Sequence, residues 1–352
     1  MNFPVLSEQA RKERLNPPSG KVRMVLDTDT YNEVDDQFAL SYALMSQDRL
    51  DVEAVYAAPF SGVFFQNLLN KDNGVTVPMT SDLAEGLEQS YQEILKIFGK
   101  LKMDPNGKVF RGSKSYMTEA GKPVESDAAR DLVRRAMASD ELLYVVAIGE
   151  ITNVASAILM EPEIINRICI VWLAGQPMDW PHTVEFNIGQ DVLATQTILD
   201  CGVPLVLVPC MTVASQLTTT EPELTARLKG KSAIGTYLAD TVISQLSPEA
   251  ADNMLSLFRL TYLKGVDDYA ETMHEELPFS GMAPSRIIWD ISTIGYMVNP
   301  HWCPSTLVPT PRMTDDYKWV HEPGRHSMHI VNFCYRDGIF GDMFEKLSKA
   351  PQ

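Results

Sequence analysis

The stretch VRMVLDTDTYNEVDDQFALSYALMSQDRLDVEAVYAA, residues 22–58, decides how the rest of the chain is read. VRMVLD at 22–27 is an apolar run of the length of a buried strand. Beyond a polar turn, Phe38, Tyr42 and Met45 fall at helical spacing in DDQFALSYALMSQD, and DVEAVYAA at 51–58 reads as the next strand. Strand, helix, strand in that order is a β-α-β unit, in which a crossover helix joins parallel strands. The turn between the first strand and its helix, Asp27 to Asp36, holds five carboxylates in ten residues.

Outward from this unit the alternation continues. EGLEQSYQEILKIFGKL (85–101) and SDAARDLVRRAMAS (126–139) are amphipathic helices, and LLYVVAI (142–148), ICIVWLAG (168–175) and PLVLVP (204–209) are strands. ITNVASAILM (151–160) and DVLATQTILDCG (191–202) supply helices between them. The pattern predicts an α/β fold, Rossmann-like, with a mostly parallel sheet flanked by helices on both faces. Thr220 to Leu263 reads as largely helical, starting at Thr220-Glu221-Pro222; IIWDISTIGYMVNP (287–300) is a further helix, and the last fifty residues read as strands and a terminal helix. Residues 1–20 read as an arm that Pro17-Pro18 ends, and residues 21–352, with no linker, repeat or low-complexity tract, as a single domain.

Lys and Arg number 30 against 46 Asp and Glu, a formal charge of −16. Nucleic acids and anionic membranes need a basic face that releases counterions, and no basic cluster occurs, so both are excluded as partners. The start lacks the ~7–15-residue apolar run of a secretory signal, and no stretch reaches the ~20 apolar residues of a membrane span. Five cysteines, an odd number with no CxxC pair, predict reduced buried thiols in a cytoplasmic protein. His321, His326 and His329 match no zinc spacing and read as a surface turn entering a strand.

In open parallel sheets the ligand crevice lies beyond the carboxyl ends of the strands. Four groups of polar residues fall there. The first is the acid-rich turn after residue 27. Carboxylates at that density repel one another unless a cation is shared, and the absence of nearby His or Cys favours a hard cation such as calcium over zinc. The plainer alternative has Asp35 and Asp36 at the amino end of the following helix, favouring its dipole, with Asp27 and Asp29 solvated. The second group, Gly149 to Asn153, could offer a backbone carbonyl; the third, Glu185-Phe186-Asn187, has groups suited to hydroxyls; the fourth, Trp289-Asp290, adds another carboxylate.

Four ordered blocks, VLDTDTYNEVDDQFAL, AIGEITNVASAIL, VEFNIGQDVLAT and WDISTIGYMVNP, together resemble the nucleoside hydrolases of the inosine-uridine preferring type, and the Trp of the last block resembles their purine-preferring branch. The resemblance implies a Rossmann-like single domain, a bound Ca2+, hydrolysis of the N-glycosidic bond of ribonucleosides, and a homo-oligomer, dimer or tetramer. Carried residue by residue, it implies that Asp29, Asp36, the Thr152 carbonyl and Asp290 hold the calcium and that Asp29 is also the general base. Asp35 would contact the ribose 2′-hydroxyl, Asn187 and Glu185 the 3′- and 5′-hydroxyls, and Asn32 and Asp179 are further substrate contacts. Trp289 stands where pyrimidine-accepting members have a His; it would stack on the base, with Trp180, Phe60 or Tyr31 as a second face. The opening departs from the common DxDPGxDD form, with five residues instead of three between Asp29 and Asp35.

Two other readings stay open. VLDTDT also resembles the DxDx[TV] turn of haloacid dehalogenase phosphatases, with Asp27 as nucleophile, although Tyr31 stands at the last position of that motif. A calcium-dependent ribosyl-binding protein without turnover is the second.

Overall fold

The computed structural model describes residues 3–69, 74–266 and 285–352. Its strands are β1 (Val22–Thr28), β2 (Leu50–Ala57), β3 (Val109–Arg111), β4 (Leu143–Ala147), β5 (Ile168–Leu173), β6 (Leu205–Val208), β7 (Thr218–Thr220), β8 (Ser285–Ile287), β9 (Ser305–Pro309), β10 (Arg312–Met313), β11 (Trp319–Val320) and β12 (Ser327–Val331). Eight of them form one sheet in the order β3-β2-β1-β4-β5-β6-β12-β9. All neighbours are parallel except the last pair, β12 and β9.

The chain builds outward from β1 through β2 to β3, then returns to lay β4 on the other side of β1. That reversal opens a crevice beyond the carboxyl ends of β1 and β4. Register aligns the ends: Asp27 lies opposite Ala147, and Ala147 opposite Trp172. The Ile148 amide donates to the Asp27 carbonyl at 2.9 Å, and the Trp172 indole donates to the Gly149 carbonyl at 3.0 Å. The three strand ends are thereby fixed at one level before any ligand chemistry is considered.

Both faces of the sheet are covered. One carries a core around Phe38, Tyr42, Ile97, Phe98, Ile294 and Phe340, and the other a core around Leu132, Ile158, Trp172, Ile198 and Leu207. Each such side chain contributes about 1.5–3 kcal/mol by leaving water. The helix Leu83–Lys100 buries Leu87, Ile94, Ile97 and Phe98, spaced at three, four and seven, and is capped by Asp82, which accepts from the Ala84 and Glu85 amides.

The structure modifies the sequence reading in three places. The arm is a docked helix, Glu8–Arg14: Leu15 enters the core, Arg11 donates to the Gly202 carbonyl at 2.6 Å, and Arg14 donates to the Asn166 carbonyl at 2.9 Å. Residues 220–263 divide into helices Glu221–Arg227, Ala233–Ile243 and Pro248–Leu260, with Gly230 at φ 74° in the first break and Ser247 capping the third. The expected helix from 287 starts only at Ile291, because Ser285–Ile287 pairs with Thr218–Thr220 as a two-stranded ribbon.

Candidate active site

Asp27 and Thr28 end β1 and Asp29 follows it, all three fully buried, and the helix Asp35–Met45 begins with two buried acids. The loop between them is held by its own side chains. Thr28 Oγ1 donates to Asp36 at 2.5 Å, and Asn32 Nδ2 donates to Asp29 Oδ2 at 2.8 Å. Tyr31, at φ 104°, adopts a backbone conformation that costs a non-glycine residue energy, and its ring is exposed.

Asp35, Asp36 and Asp290 offer carboxylate oxygens that all lie within 4.8 Å of one another. Asp290 arrives from the far end of the chain because it directly precedes the buried helix Ile291–Val298. The Asp29 carboxylate lies against that of Asp36, and the Asp35 carboxylate against that of Asp290. Burial, then the neighbouring carboxylates, hold Asp29, Asp36 and Asp290 well above the usual carboxylate range. Asp29 Oδ1 is buried without a hydrogen-bond partner. Four crowded buried acids, oxygen donors only, with one orphaned oxygen, fit a hard divalent cation and do not fit a closed structural zinc site.

The cleft over this cluster has about 390 Å³ of empty space. Its acids are Glu33, Asp35, Asp36, Glu185 and Asp290, and its other polar groups are Asn32, Asn187 and the Cys210 thiol. Phe186, Phe258, Tyr262 and Trp289 form its aromatic walls. Trp289 meets Phe258 edge-on, with centroids 5.9 Å apart at 82°, and Phe258 stacks on Tyr262 at 5.2 Å.

Glu185 caps the short helix Phe186–Gln190, accepting from the amides of Asn187, Ile188 and Gly175 at 2.9–3.1 Å. Burial pushes its carboxyl up to about 7 against those bonds. Asn187 Nδ2 donates to the carbonyls of Leu173 at 2.9 Å and Ile148 at 3.3 Å. Both amide hydrogens are thus spent on strand ends, so Asn187 can offer Oδ1, an acceptor suited to a hydroxyl donor.

The remaining expected residues do not line the cleft. Thr152 is buried at the start of its helix; its amide donates to Glu150 Oε2 at 2.6 Å, and its hydroxyl lies against both Glu150 and Asp191. The tight trio has Asp35 where the resemblance implied Asp29. Asp179 is exposed and does not line the cleft. Phe60 is buried in the core, and Trp180 and Tyr31 lie outside the cleft lining; Phe186, Phe258 and Tyr262 supply the aromatic faces instead. Asp27, the nucleophile of the phosphatase reading, accepts from Asn153 Nδ2 at 2.9 Å, is fully buried and, like Asp29, does not line the cleft.

Sequence reasoning missed Glu33, Glu150, Phe258 and Tyr262 as groups at or behind the site. Glu150 stood inside a quoted strand-end motif, a position where a buried acid signals a special role. Phe258 and Tyr262 are four apart in a helical stretch, which is also the spacing of ordinary core residues.

The model of the family described as "Inosine-uridine preferring nucleoside hydrolase" matches residues 24–329. The chain belongs to this family. The family is one of enzymes that hydrolyse the N-glycosidic bond of ribonucleosides. A probable uridine nucleosidase 2 of Arabidopsis thaliana is 24% identical over 225 residues, 61% of this chain and 67% of that protein. Among solved structures, a purine-preferring ribonucleoside hydrolase from Gardnerella vaginalis superposes with a TM-score of 0.63 at 16% identity, covering 93% of this chain and 98% of the other. The type III effector protein XopQ, complexed with adenosine diphosphate ribose, gives 0.61 at 16% identity over 99% of both chains. At such identities the two structures speak for the fold.

Proposed function

We propose that the chain is a calcium-dependent nucleoside hydrolase favouring purine nucleosides. The observation that carries the reading is the convergence of Asp29, Asp35, Asp36 and Asp290 beneath a cleft with aromatic walls. Asp29, Asp36, Asp290 and the Thr152 carbonyl would hold the cation, as the resemblance implies, with Asp35 beside them. When bound, the cation supplies Lewis acidity toward a water and the vicinal hydroxyls of the sugar.

The chain's own groups do the rest. Asp29 takes the proton of the attacking water, general-base help worth about 10²–10⁴-fold. Asp35 accepts from the 2′-hydroxyl, while Asn187 Oδ1 and Glu185 receive the other hydroxyls. Acceptors around the ring strengthen their bonds as positive charge develops at C1′. Trp289 stacks on the base, worth ~1–3 kcal/mol per base. Trp289, standing where pyrimidine-accepting relatives of the resembled family have a histidine, supports a purine whose ring nitrogen takes its proton from solvent.

The ribosyl-binding alternative has one observation in its favour: the longer loop places Asn32 on Asp29, and Asp29 does not itself line the cleft. A panel of purine and pyrimidine nucleosides, assayed for reducing sugar before and after chelation, separates the two. Purine turnover that stops on chelation and returns with calcium supports hydrolysis; calcium-dependent binding with no released base supports the alternative. Five buried free thiols support a reducing, cytoplasmic setting, and no described helix is long and apolar enough to cross a membrane. The resemblance supports a homo-oligomer.

A further inference from the structure

Two buried carboxylates that do not line the cleft converge on Thr152. Glu150 is 0% and Asp191 3% exposed. Glu150 Oε2 accepts from the Thr152 amide at 2.6 Å and lies against its hydroxyl, which donates to Asp191 Oδ2 at 2.5 Å. Asp191 has further anchors: the Ala194 amide donates to it at 3.0 Å, where it caps the helix Val192–Asp200, and the Met117 amide at 2.8 Å. Glu150 has none. Among the described residues only Thr152 donates to it, and its Oε1 is buried without a partner. An acid buried on those terms costs more than an apolar side chain of its size, so packing alone does not account for it. Its bond fixes the first turn of the helix Thr152–Met160, whose preceding residue, Ile151, offers no side-chain cap. The same turn carries Gly149, so close to Asp29 that an added Cβ would lie 2.9 Å from the carboxyl.

We propose that Glu150 is a positioning residue of the cation site, holding the Thr152 main chain so that its carbonyl faces the ion. The proposal rests on the calcium reading of that site. A side-chain ligand can reach an ion by changing rotamer, whereas a main-chain carbonyl lies in a planar peptide and points where its backbone points. Its direction is therefore set by whatever grips that backbone, and Glu150 and Asp191 grip Thr152 through its amide and its hydroxyl. Groups that orient a ligand without touching the metal are worth about 10–100-fold in metal affinity. Glu150 acts here as an acceptor, so what counts is an oxygen within reach of the Thr152 amide.

The test titrates calcium chloride into the chelator-treated full chain by calorimetry, with thermal unfolding of the same samples. Glu150→Leu, which fills the space but leaves the Thr152 amide unpaired, should weaken calcium at least about tenfold. Glu150→Gln, which keeps an oxygen for that amide, should hold most of the native affinity. Thr152→Val, which keeps the carbonyl and removes only the hydroxyl, should weaken calcium in the same direction. Leu15→Ala, a core truncation remote from these residues, should lower the melting temperature with calcium affinity intact. Native affinity in Glu150→Leu or in Thr152→Val overturns the proposal, the second variant deciding it should the first not fold. So does an equal loss in Glu150→Leu and Glu150→Gln, which would make charge the cause, or a matching loss in Leu15→Ala, which would mark general loosening. If the native chain binds calcium and any of these results is found, only this proposal fails. If the native chain binds no calcium, the calcium reading fails with it.

Discussion

Trp289 shows how one residue joins sequence, packing and chemistry. It directly precedes Asp290, so placing that carboxylate in the acid cluster also places an indole at the cleft wall. Its edge-on contact with Phe258 fixes the ring. Trp289→Ala removes the stacking face and leaves every carboxylate in place. Purine nucleoside turnover is expected to fall about tenfold or more, in line with ~1–3 kcal/mol of stacking, while calcium content per chain stays the same. Steady-state kinetics paired with metal analysis checks this, and an unaltered rate on inosine would remove the stacking role.

At the scale of elements, the end of β4 is what keeps Asp29 in position. A Cβ on Gly149 would lie 2.9 Å from the Asp29 carboxyl and 3.0 Å from its amide nitrogen. Gly149→Ala must push back the end of β1, since overpacking of this kind costs about 1–3 kcal/mol and shifts backbone. Weakened calcium binding and a loss of activity larger than the loss of stability are expected, read by calorimetry and chemical denaturation. If calcium affinity survived in a stable variant, the strand ends would not be setting the site.

The same scale explains what could be read from sequence. β1, β2, β4, β5 and β6 were legible because each is an apolar run bounded by polar turns. Their carboxyl ends pointed to Asp35, Asp36, Glu185 and Asn187, which line the cleft, since a parallel sheet collects those ends at one edge; Asp290 joins them from beyond the separate β7–β8 ribbon. β3 and the β7–β8 ribbon were not legible: each has three residues, too few for any period. Glu33 escaped because its position depends on Arg286, 253 residues away, and no local pattern encodes a partner at that distance. Asp179 was placed by analogy of spacing across a loop, and loop lengths carry no register.

Over the whole molecule, buried acids link folding to pH. Burial pushes Asp27 up to about 7 despite its bond from Asn153, and burial likewise raises Glu150. In the unfolded chain such groups lose their protons near pH 4. Between about pH 4 and 7 the folded state holds more protons than the unfolded one, so these groups make stability fall as pH rises through that window. Chelated protein should show a falling melting temperature over this range, and calcium, binding the ionised cluster, should flatten or reverse the trend. Thermal unfolding from pH 4 to 8 in chelator and in calcium measures both curves; identical curves would count against a cation shared by these acids.

The docked amino-terminal helix has a practical corollary. It grips the turns at Asn166 and Gly202, which lead into β5 and β6 at their amino ends, so it lies at the pole of the sheet opposite the cleft. A protein immobilised through residues ahead of Ser7 would present the mouth of the cleft to the bulk, whereas tethering through the loop at Tyr31 would tug on the cation-binding acids themselves.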